Sequence, residues 1–307
     1  MRPFARVLAI AAAAGGLILP RAAQAFVRYY TEENAAFFWA LPDLPVTAYV
    51  NGFNQSTMTT DQVIGAITAA AAAWSADQNS CTYLSILPAT SSAPAPLAAN
   101  DGHNSLIFRS SSWCQLAPDG SCEVDYDASA LAFTWDTANK KTGQIYDADI
   151  EVNLVDFQWA DVTADPNLGE DMDLQNALTH ELGHFIGLDH TCFNQLSPPG
   201  TPHPLDNTGT PIPDCDQASA DVAATTMYPS AMPGDTQKRT LAPDDTNGLC
   251  TIYPADHPPP GVTDQLRGGC ARCALSPAPS GPLGAASLVV AGVVSAAALA
   301  GRRRRRP

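Results

Sequence analysis

The chain has 307 residues, with 31 acidic against 16 basic and a formal charge of −15 at pH 7. Eight of the basic residues (Arg2, Arg6, Arg21 and Arg302 to Arg306) lie at the two ends, so the body between them is more acidic still. That balance argues against a nucleic-acid partner, because phosphate binding needs concentrated Lys and Arg. At the N-terminus, Arg2 and Arg6 precede an apolar run from Val7 to Leu19, and Ala23-Gln24-Ala25 supplies the small residues of a signal-peptidase site. Residues 1–25 therefore read as a signal peptide, the run being shorter than the ~20 residues that cross a bilayer, and the protein is expected to be exported.

Export changes the meaning of the eight cysteines, because an oxidising compartment lets disulfides persist. Six lie in the body, and six permit 15 pairings among which sequence cannot choose. Proximity alone would join Cys114 to Cys122 and Cys192 to Cys215, leaving Cys81 with Cys250.

Along the body, Val46 to Val50 alternates as a half-buried strand does. Thr59 and Gln62 have capping-box spacing ahead of a long first helix, whose Val63, Ile64, Ile67, Ala70, Ala71 and Trp74 recur at helical intervals toward Asn79. Pro88 to Asn100 reads as a loop and Ser105 to Phe108 as a strand. Ser110 to Asp127 reads as a surface excursion, and Ala130–Trp135 and Gln144–Leu154 as two strands joined by a turn at Asn139–Gly143. Asp171 or Asp173 caps a second helix carrying Leu174, Ala177, Leu178, Leu182 and Phe185. A Pro- and Asp-rich segment from Thr191 to Thr226 follows, then a short helix around Pro243 to Ile252. The class is mixed α/β, an α+β domain with no internal repeat.

The second helix carries the chemistry. His180 and His184 are one turn apart, about 40° around the axis at ~100° per residue, so both imidazoles reach one metal ion. Glu181 lies about 60° from His184 and flanks the metal as a base rather than a ligand. In a continuing helix His190 would lie ~240° from His184, but Gly187 between them tolerates the positive φ of a helix-ending turn and lets His190 come back to the metal. Five fixed positions at this spacing arise by chance with a probability on the order of 10⁻⁵.

The run His180-Glu181-Leu182-Gly183-His184-Phe185-Ile186-Gly187-Leu188-Asp189-His190 resembles the zinc signature of the metzincin metallopeptidases, and its Gly183, Gly187-Leu188 and Asp189 look most like the matrixin branch. Thr226-Met227-Tyr228-Pro229-Ser230 is similar to that family's Met-turn, in which Met227 would floor the zinc histidines while Tyr228 and Pro229 line the specificity pocket. Leu241, Asp244-Asp245, Gly248 and Tyr253 resemble the final matrixin helix, and Ala148-Asp149-Ile150 with Asn153 the edge strand to which substrate adds as an antiparallel strand. The resemblance implies a metzincin-like fold over residues 26–253: a twisted, mostly parallel sheet with an antiparallel edge strand, two long helices and a short C-terminal helix. It implies one catalytic Zn²⁺ on His180, His184 and His190, Glu181 as general base, Asp149 and Ile150 among the residues that bind substrate, and a protein or peptide substrate whose side chain enters an apolar pocket behind the metal. The alternative is a zinc-containing surface binding or adhesion protein without turnover.

The chain departs from the pattern in three ways: it has no cysteine-switch propeptide, no histidine between His103 and His180 for a second zinc, and a much longer segment at Thr191–Thr226. Acidic clusters at Asp125 to Asp127, Asp147 to Glu151 and Asp161 to Asp173 offer oxygens of the kind Ca²⁺ takes, and read equally as solvated loops. Beyond Tyr253, residues 254–282 read as a linker with Cys270-Ala271-Arg272-Cys273, followed by the apolar stretch Leu283 to Ala300 and the arginine cluster. Cysteine, spacer, helix and arginines resemble the MYXO-CTERM sorting signals of bacterial surface proteins, which implies membrane association before or after processing near the cysteine.

Overall fold

The computed structural model describes residues 26–256, apart from 52, 54–56, 77, 91–97, 99, 165–169 and 194–201. The signal-peptide, linker-cysteine and C-terminal helix expectations fall outside the described residues. Among those described, no helix is long and apolar enough to cross a membrane.

The architecture is α+β around one mixed five-stranded sheet. Its strands are β1 (Val46–Val50), β2 (Ile86–Thr90), β3 (Ser105–Arg109), β4 (Ala132–Ala138) and β5 (Ile145–Asn153), in the order β2-β1-β3-β5-β4. All neighbours are parallel except β4, which runs antiparallel to β5 at the sheet edge. Helix α1 (Thr60–Ala73) starts at a complete Thr59–Gln62 capping box and packs near β2, while α2 (Leu174–Phe185) packs on β4 and β5. The remaining α-helices among the described residues are the single turn α3 (Ala220–Ala223) and α4 (Pro243–Ile252).

Burial follows the period of each element. Ala148, Ile150 and Val152 of β5 join Leu178, Leu182 and Phe185 of α2 and Ile67, Ala70 and Trp74 of α1 in the main core. The Trp74 indole donates to the Thr179 carbonyl at 2.7 Å and ties the end of α1 to the middle of α2. On the opposite sheet face, the excursion between β3 and β4 forms a small hairpin closed by Cys114–Cys122, and Trp113 stacks on Phe133 beneath Tyr126. The other disulfides are Cys192–Cys215 and Cys81–Cys250, the pairing that proximity suggested.

Two expectations need correction. Asp149 and Ile150 do not lie on an edge: Ile150 pairs with Leu106 of β3 on one side and Thr134 of β4 on the other, and both residues are 1% exposed. With its backbone donors and acceptors engaged on both sides, β5 cannot take an added strand, and the edge that can is β4, which pairs with no further strand among the described residues. Part of the Pro88–Asn100 loop is also strand, since β2 runs through Pro88 to Thr90 at the other sheet edge, where a proline is tolerated.

Candidate metal centre

Helix α2 begins at Asp173, whose side chain caps the Asn176 amide at 2.8 Å while Arg239 bridges it to Asp161. The helix ends at Gly187, where φ is +94° and a Cβ would fall 2.7 Å from the Phe37 carbonyl oxygen, so only glycine fits this turn. Leu188 and Asp189 then run antiparallel to Val27 and Arg28, and His190 returns to the helix as the spacing required.

The three histidines converge through Nε2. His190 Nε2 lies 3.2 Å from that of His180 and 3.1 Å from that of His184. Their other ring nitrogens face outward, His180 Nδ1 onto the Thr226 carbonyl at 2.6 Å and His184 Nδ1 onto the Leu188 carbonyl at 2.9 Å. A carbonyl can only accept, so both rings hold their proton on Nδ1 and direct the Nε2 lone pair inward. Burial holds all three below the ordinary histidine range, His184 at about 4, and so keeps them in the neutral form that binds metal. Converging lone pairs with no proton between them repel one another unless a cation sits among them. This group is therefore one that can hold a metal ion.

Glu181 is 3% exposed, and its carboxylate accepts from the Thr134 hydroxyl of β4 at 2.7 Å. Burial pushes it up to about 7, with Thr134 and then Lys238 pulling it down. Met227 is fully buried against the helix: a Cβ at Gly183 would fall 2.2 Å from its sulfur, so this glycine is required for the close approach. The turn is held by Asp245 of α4, whose carboxylate accepts from the Thr226 amide at 2.7 Å and the Met227 amide at 3.2 Å. Asp245 thus orients the carbonyl that orients His180.

Three contributors have no signal in the sequence. Tyr29 stacks on His184 and places its hydroxyl 3.0 Å from Nδ1. Thr134 holds Glu181. Lys238 is 2% exposed, hydrogen-bonds the Tyr228 carbonyl through Nζ and lies 3.4 Å from His180 Nδ1, with burial pushing it down to about 8. A cavity of about 10 Å³ beside His180 is lined by Leu131, Asn176, Ala177, His180, Glu181, Ala231 and Lys238. Tyr228 turns its hydroxyl to the Cys215 carbonyl at 3.4 Å, and Pro229 is buried after it; neither lines this cavity. None of the proposed calcium clusters gathers three carboxylates about one point among the described residues. Asp147 and Asp149 instead accept from the Gly102 and Ser105 amides, and Glu151 pairs with Arg109.

Compared with known proteins, the chain matches no family model and no curated sequence.

Proposed function

We propose that this protein is a zinc-dependent endopeptidase of the metzincin type, closest in its motifs to the matrixins, and that it is exported, either secreted or attached to the cell surface. The observation that carries the reading is the convergence of His180, His184 and His190 through Nε2 beside a buried carboxylate and an open strand edge. The donor set fits zinc. Four tetrahedral bonds of ~2.0–2.1 Å put ligand nitrogens roughly 3.3–3.4 Å apart, near the distance of His190 Nε2 from each of the other two, and three histidines leave the fourth position for water or substrate. Zinc bound there supplies Lewis acidity, acidifying water and drawing charge from a peptide carbonyl.

The chain's own residues do the rest. Substrate adds antiparallel to β4, where main-chain hydrogen bonds give affinity with little sequence demand. Glu181 takes a proton from the attacking water and passes it to the leaving amine, while Thr134 keeps its carboxylate aimed. Asp245, through Thr226, fixes the His180 ring.

The test is cleavage of a quenched-fluorescence peptide library with and without a zinc chelator, beside Glu181→Gln. The expected result is chelator-sensitive cleavage that falls about 10²–10⁴-fold in the variant while zinc stays bound. Zinc binding without any cleavage would refute the peptidase reading and favour a surface binding protein.

A further inference from the structure

A second cavity, of about 700 Å³, lies on the other side of His184 from the metal position. Tyr29 is the partition between them: its ring stacks on His184 and its hydroxyl lies 3.0 Å from Nδ1, while Nε2 turns to His190. Arg28 to Tyr30 form one wall of the cavity, and Pro204 to Asn207, from the long segment after His190, form another. A space of this size falls within the range of small-ligand sites and holds far more than one water.

Arg28 brings to this wall a charge that the fold leaves without a counter-ion. No carboxylate lies within 4.0 Å of its guanidinium among the described residues, and the side chains whose charge acts on it are Tyr253 and Tyr30. Its Nη2 donates to the Phe37 carbonyl at 2.6 Å, Nε is buried without an acceptor, and Nη1 has none among the described residues. Burial accordingly lowers the group from the ordinary arginine range. Two carboxylates also line the cavity, and both are taken up by their own turns. Asp189 accepts from the His190 amide at 2.7 Å, and Asp206 from the Thr208 and Thr210 amides at 2.8 and 2.9 Å and the Thr208 hydroxyl at 2.6 Å. At the mouth, Tyr30 and Leu205 are 50% and 52% exposed and give the opening an apolar rim.

We propose that this cavity is a second binding site, for a ligand that joins a carboxylate to an apolar group, the carboxylate meeting Arg28 and the apolar part lying against Tyr30 and Leu205. The carboxylate supplies the counter-charge through a charge-assisted hydrogen bond, and the apolar part covers side chains that water otherwise meets. A small free acid and a glutamate-bearing peptide present the same chemistry. The inference goes beyond the peptidase reading and does not need it, because Tyr29 stands between the cavity and the Nε2 face of the histidines.

Two probes separate those sources: 3-phenylpropionate, and an acetylated and amidated Gly-Leu-Glu-Gly peptide beside its glutamine twin. Their binding is measured by calorimetry on zinc-loaded Glu181→Gln, which prevents turnover. At least one charged probe should bind, the glutamate peptide, where it is the ligand, about 10-fold more tightly than its twin, the lower end for a hydrogen bond to a charged group. Adding Arg28→Gln should abolish the advantage of the charge. Leu205→Glu, at an exposed position that puts a further carboxylate on the rim, should weaken either charged probe about 10-fold without touching the core. Binding of 3-phenylpropionate alone identifies a free acid as the ligand, and binding of the glutamate peptide alone identifies a peptide. Failure of both to bind overturns the inference, as does binding that Leu205→Glu leaves unchanged, which would put the carboxylate on the metal instead. A protein that binds an acid here and cleaves no peptide would refute the peptidase reading alone.

Discussion

The two faces of the sheet bury charge in opposite ways. On the outer face, Asp147, Asp149, Glu151 and Asn153 stand in a row along β5, and each is answered by a neighbour: the Gly102 amide, the Ser105 amide, the Arg109 guanidinium with the Tyr126 hydroxyl and Trp135 indole, and the Ala130 carbonyl. On the inner face none of Asp136, Glu181 and Lys238 forms an ion pair within 4.0 Å among the described residues: Glu181 is held by the Thr134 hydroxyl and Lys238 by the Tyr228 carbonyl, and Asp136 keeps one oxygen without a donor. Answered charges fasten loops to the sheet and belong to the fold. Those of the inner face include Glu181 and Lys238, which line the cavity beside His180, one of the three histidines that could hold a metal ion.

The largest expected effect tests the outer face. Arg109→Met leaves Glu151 buried without its guanidinium and should cost about 3–5 kcal/mol in urea denaturation, with zinc binding retained by the folded fraction. A loss below about 1 kcal/mol would mean that Tyr126 and Trp135 suffice, and that the row is less dependent on charge pairing than the contacts imply.

Asp147 is the outer row's weak member. Burial first, then the charge of Asp101, raise it from 3.8 to about 6. The folded protein therefore holds this proton more tightly than the unfolded chain, and ionising it opposes folding. The penalty is absent below about pH 3.8, grows as pH rises to about 6 and is complete above that. Asp147→Asn keeps an oxygen for the Gly102 amide and should stabilise the protein by roughly 2–3 kcal/mol at pH 7.5 and hardly at all at pH 3.5. Equal effects at the two pH values would sink this account.

The smallest effect tests the inner face. Thr134→Val removes the hydroxyl that aims Glu181 and should lower kcat/KM about 10-fold, with Thr134→Ser restoring most of it. A serine variant as slow as valine would point to packing rather than to the hydrogen bond.

How far the sequence was legible follows from where each signal lives. The metal centre could be read because its ligands sit on one helix and the turn after it, where ~3.6 residues per turn and one glycine fix the geometry locally. The strands β1, β3, β4 and β5 showed in their residue types, and β1 in its alternation as well, but such a signal names a strand and not its neighbours. The family resemblance puts Asp149 and Ile150 at an edge that instead belongs to β4, because strand order is set by contacts distant in sequence. Strand β2 escaped because Pro88 and Ala89 carry no strand pattern. Tyr29 and Lys238 reach the centre from well outside the α2 and His190 segment, Lys238 from a polar run in which nothing sets it apart.

The Cys81–Cys250 bridge ties the segment after α1 to α4 across 169 residues, and both halves of the proposed catalytic apparatus fall inside that loop. A cut anywhere between the two cysteines leaves the severed pieces tethered. Copies that nick one another would run as a single band on a gel without reductant and fall apart into fragments only with it, and a clipped molecule would not shed its histidines into the medium.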